Sequence, residues 1–63
     1  MNYFDEVKRL VMEQAENLKK TSTSNDFKQG VITGMIIAFE KAGFINSTEA
    51  SDLLFDTLSV FEK

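Results

Sequence analysis

Apolar side chains recur every three to four positions through most of the chain, in three blocks separated by the polar breaks Thr21-Ser22-Thr23-Ser24-Asn25 and Gly43-Phe44-Ile45-Asn46. In the first block, Tyr3, Phe4, Val7, Leu10, Val11, Ala15 and Leu18 share one arc of a helix, while Asp5, Arg9, Glu13, Glu16 and Lys20 occupy the other. In the third, Ala50, Leu53, Leu54, Thr57, Leu58, Val60 and Phe61 line one face, leaving Asp52, Asp56, Ser59 and Lys63 opposite. No proline interrupts any block. The pattern predicts an all-α single domain spanning 1–63, a small three-helix bundle with helices over about 3–20, 25–42 and 46–62.

The residues at the breaks fit those boundaries. Lys19 and Lys20 complement the negative end of the first helix dipole. Ser24 or Asn25 can cap the second helix, Ser24 being the preferred one, with Asp26 in its first turn. Gly43 supplies the left-handed residue that stops that helix, and Phe44 can fold back on the last turn. Asn46-Ser47-Thr48-Glu49 reads as a capping box in which Asn46 caps and Glu49 reaches back, with Ile45 stapled against Ala50.

The second block departs from the one-sided pattern of its neighbours. A small residue returns every fourth position, as Gly30, Gly34, Ala38 and Ala42, which draws a shallow groove along one side of the helix. Two interior glycines cost about 2 kcal/mol relative to alanine, so a contact must offset them. Apolar or small residues also run most of the way round. Only Gln29, Thr33 and Glu40 form a polar strip, within about 40° of one another, bordered by Ile32, Ile36 and Ile37. A helix of this kind is expected in the middle of a core larger than 63 residues provide, which points to a homodimer through helix two. Met12 on the polar side of helix one and Phe55 at the edge of the acidic face of helix three add to that expectation. Two readings of the groove stand open: a recognition face for another helix, or close packing against helix one or three.

Length and composition narrow the support available. A chain of this size buries a small fraction of its surface, and with no cysteine and no histidine it has neither disulfides nor the commonest metal ligands. Self-association is then the expected source of added stability. The formal net charge of −3, from 10 acidic and 7 basic side chains, opposes general attraction to nucleic-acid phosphates. The longest apolar stretch, Val31 to Phe39, is well short of the roughly 20 residues a membrane span needs. Met1-Asn2-Tyr3-Phe4-Asp5-Glu6 carries neither a basic leader nor an apolar core of a signal peptide, so the expected location is cytoplasmic.

Candidate chemistry is sparse. Glu49, Asp52 and Asp56 set carboxylates three and four positions apart on helix three, an acidic docking face for a basic partner rather than a metal site, since no loop carries the alternating pattern of a calcium site. Helix two, the Gly43 turn and helix three could be drawn as a helix-turn-helix. The supposed recognition helix, however, opens with Thr48-Glu49-Ala50-Ser51-Asp52 and offers no basic side chain to a groove. Serines and threonines sit where caps and linkers explain them, and no nucleophile–base pair or phosphate-cradling loop is visible.

In size and helical character the chain resembles the short regulators and host-protein inhibitors of bacterial phages and mobile elements, a likeness of style without a diagnostic motif. The sequence reading is a non-enzymatic protein-interaction module without cofactor, metal, nucleic acid or membrane partner, acting as an adaptor, inhibitor or regulator. A purely structural homo-oligomerisation module is the alternative, and a DNA-binding regulator the third. The residues expected to carry association are Phe27, Gly30, Gly34, Met35, Ile36, Ile37 and Phe55.

Overall fold

Each turn between helices is built by the residues at the breaks. In the computed structural model, which describes residues 3–61, α1 runs Phe4–Lys19, α2 Asn25–Lys41 and α3 Ser47–Leu58, with a 3₁₀ turn at Ser59–Phe61 continuing α3. The described residues contain no strand. The Ser24 hydroxyl accepts the Phe27 amide at 3.2 Å and so caps α2. At the other end Gly43 adopts φ +89°, its amide donates to the Glu40 carbonyl and that of Phe44 to the Phe39 carbonyl, both at 3.0 Å. These are the two bonds of a Schellman stop, and the Phe39 and Phe44 rings meet across it edge to face at 6.1 Å. The capping box of α3 is complete, the Glu49 amide donating to Asn46 Oδ1 at 2.8 Å and the Asn46 amide to Glu49 Oε1 at 3.1 Å.

The helices end slightly inside the predicted limits, and α3 tightens at Ser59 instead of running regularly to 62; residue 62 lies outside the described residues. A 3₁₀ turn at a helix end is a common way of pairing the last carbonyls. Here it brings Phe61 into the core.

The core is one cluster drawn from the faces the periodicity marked: Val7, Val11 and Ala15 of α1, Ile32 and Ile36 of α2, Ala50 and Leu53 of α3, with Ile45 from the second turn and Phe61. Phe4, Leu18, Met35, Phe39, Leu54, Leu58 and Val60 pack around it. Thr57 is fully buried, and its hydroxyl donates to the Leu53 carbonyl at 2.6 Å. Lys28 is 7 % exposed and is one of the three buried residues of α2, with Ile32 and Ile36. A lysine in such a place covers core with its aliphatic stem.

All three helices touch one another, α1 and α3 included. Within the chain α2 packs on both α1 and α3. With three helices in mutual contact each occupies a corner, so α2 buries one side and leaves the opposite side open. Among the described residues no helix is long and apolar enough to cross a membrane.

Candidate interaction surface

The inward line of α2 is Lys28, Ile32 and Ile36, spaced every fourth residue. Gly34 lies two residues from both isoleucines, so the helical period turns it about 160° away from them. Its neighbours on that outer side are also exposed: Phe27 at 58 % and Ile37 at 44 %, with Gly30, Ala38 and Lys41. Val31 is half-buried at the edge. The face therefore has a low floor, Gly30 and Gly34, with Ile37 on one rim, Val31 and Ala38 on the other and Phe27 at the N-terminal end.

A Cβ built on Gly30 or on Gly34 meets no atom within 4 Å. Close packing of the small-residue line against α1 or α3 is thereby overturned: the two lines on α2 are 160° apart, and the core took the isoleucines. Among the described residues no contact offsets the cost of about 2 kcal/mol for two interior glycines. The half-buried polar strip of Gln29, Thr33 and Glu40 separates this outer face from the core on the Ile37 side. Glu40 within it accepts the Ser47 hydroxyl at 3.1 Å, tying the end of α2 to the start of α3.

The residues expected to carry association separate into three places. Phe27, Gly30, Gly34 and Ile37 come together on the outer face. Ile36 is fully buried and is a core residue, whereas Met35 is half-buried and packs against the core. Phe55 is the most exposed large apolar side chain of the described residues at 81 %, but it stands on α3 and is not part of the α2 line.

The acidic docking face is similarly divided. Glu49 spends its carboxylate on the capping box, and Asp56 faces Lys8 of α1, whose Nζ is 3.8 Å from Oδ2. Asp52 is exposed between them. Among the described residues no group of three or more carboxylates is arranged to hold a metal ion.

Sequence reasoning missed one feature near the far end of α2. Tyr3, which precedes α1, meets Phe44 edge to face at 5.2 Å, extending the Phe39–Phe44 contact into a run of three rings. The signal lay in the residue types, since Tyr3 and Phe44 both flank helix ends, but their meeting depends on how α1 lies on α2. Comparison with protein-family models, with curated proteins and with solved structures gives no significant match.

Proposed function

We propose that the protein is a non-catalytic interaction module, an adaptor, inhibitor or regulator that binds another protein through the outer face of α2. One observation carries the reading: two glycines lie exposed with open space above them, between exposed Phe27 and Ile37, on a helix whose core contacts are all on the other side. Glycine inside a helix is unfavourable, and its use is to let another backbone or a large side chain come close. An apolar helix face with a low floor is a recognised form of helix-in-groove binding. The cysteine-free sequence fits a cytoplasmic setting.

Affinity capture from the source cell tests this, using wild type, Ile37→Glu and Phe55→Glu, each first shown to be folded by circular dichroism. A protein recovered with wild type and Phe55→Glu but lost with Ile37→Glu supports the α2 face. Identical recoveries with all three, or none with wild type, overturn it. The second reading, a module whose partner is another copy of itself, is favoured by the character of the same face.

A further inference from the structure

We propose that the outer face of α2 pairs with the same face of a second copy, the two helices running antiparallel about a two-fold axis at Gly34. This rests on reading that face as an interaction surface, and it names the occupant. Phe27, Gly30, Gly34, Ile37 and Lys41 follow one another at intervals of three, four, three and four, the spacing of a coiled-coil seam. By the helical period, Phe27 and Lys41 lie within about 20° of Gly34, Gly30 and Ala38 within about 40°, and Ile37 and Val31 within about 60°. The seam is therefore continuous over nearly the whole of α2, and it is exposed from end to end.

Direction follows from size and charge. In a parallel pair, Phe27 meets Phe27 and Ile37 meets Ile37, which holds the helices apart where the glycines invite approach. Asp26 would also lie beside Asp26, and Lys41 beside Lys41. In the antiparallel pair centred on Gly34, Ile37 comes level with the gap between the partner's Gly30 and the partner's Gly34. Phe27 then comes level with the partner's Ala38 and the aliphatic stem of the partner's Lys41. Asp26 falls beside the partner's Lys41 and Lys41 beside the partner's Asp26, two opposite-charge pairs at the ends of the seam, with the helix dipoles opposed. One face thus supplies both the large residues and the spaces for them, and both signs of each charge pair. That self-complementarity is what a two-fold interface requires, and it favours a second copy over an unrelated helix. A single helix face is smaller than the roughly 800 Å² each partner gives to a standard interface, so the dimer dissociates on dilution.

The test combines sedimentation equilibrium over a wide dilution series with cysteine cross-linking, which the cysteine-free chain makes clean. Wild type should pass from monomer to dimer with concentration. Gly34→Leu fills the floor on the open side and should keep its helical content while weakening the dimer by on the order of tenfold or more; Ile37→Glu serves the same purpose should that variant misfold. Air oxidation of an equimolar mixture of Asp26→Cys and Lys41→Cys chains should give the mixed disulfide dimer well above the one-half share of all dimers that random pairing yields. Wild type monomeric at every concentration, an undiminished Gly34→Leu or Ile37→Glu dimer, or dominant Asp26→Cys homodimers would each overturn the inference. A monomer that still captures a protein partner through Ile37 leaves the proposed function standing. A dimer that captures none leaves this inference standing without it.

Discussion

Gly34 and Ile36 stand two residues apart on α2 and face opposite ways, the glycine onto open space and the isoleucine into the core with no exposed surface. This pair divides α2 into a side that stabilises the fold and a side that does not. Substitutions on the two sides must therefore act in opposite directions on the isolated chain.

Gly34→Ala should raise the unfolding free energy of the monomer by about 1 kcal/mol, because alanine removes the helical penalty of glycine and its methyl meets no neighbour. Ile36→Ala should lower it by about 2–5 kcal/mol through lost burial and the cavity left behind. Urea titrations at concentrations where the protein is monomeric read both. A destabilised Gly34→Ala would mean that the outer side of α2 is covered within the chain.

The turn after α2 makes a different demand on glycine. Gly43 sits at φ +89°, where an L side chain crowds the following carbonyl, although the space around it is open. Gly43→Ala should cost about 1–2 kcal/mol, and Gly43→Asn less, since asparagine tolerates the left-handed region better. The same denaturation measurement distinguishes them. Equal losses for the two would point to contacts rather than backbone conformation.

The capping box at α3 separates charge from hydrogen bonding. Asn46→Ala removes the acceptor for the Glu49 amide and should cost about 1 kcal/mol. Glu49→Gln keeps an oxygen for the Asn46 amide, whereas Glu49→Ala does not. Thermal unfolding should therefore rank Glu49→Gln close to wild type and Glu49→Ala below it. A loss for Glu49→Gln as large as that for Glu49→Ala would shift the role of Glu49 from the box to its charge.

What the sequence made legible was local. The Ser24 cap, the Gly43 stop and the Asn46–Glu49 box each depend on residues within a few positions of one another, so their chemistry is written in order along the chain. The apolar arcs of α1 and α3 likewise required only the helical period. On α2 the period was equally readable, but residues of similar hydropathy ran around it, so Ile36 and Ile37 could not be told apart. Which became core was decided by the direction from which α1 and α3 approached. The burial of Lys28, the Lys8–Asp56 pair and the meeting of Tyr3 with Phe44 share that dependence on tertiary arrangement. The candidate site was visible as a line of small residues, while its openness was not.

Thr57 provides a test of how the core itself is held. Its side chain is fully buried, and its hydroxyl donates to the Leu53 carbonyl, which in a regular helix also receives the amide of residue 57. Removing the hydroxyl in Thr57→Val thus leaves that carbonyl paired and retains the shape of the side chain, so stability should stay within about 1 kcal/mol of wild type. Thr57→Ser keeps the hydroxyl but deletes a buried methyl, and should lose about 1 kcal/mol through burial and packing. If the hydrogen bond mattered more than packing, the order would invert, with serine tolerated and valine costly. Chemical denaturation of the two variants side by side decides between the hydroxyl and the methyl as the group that Thr57 contributes to the bundle.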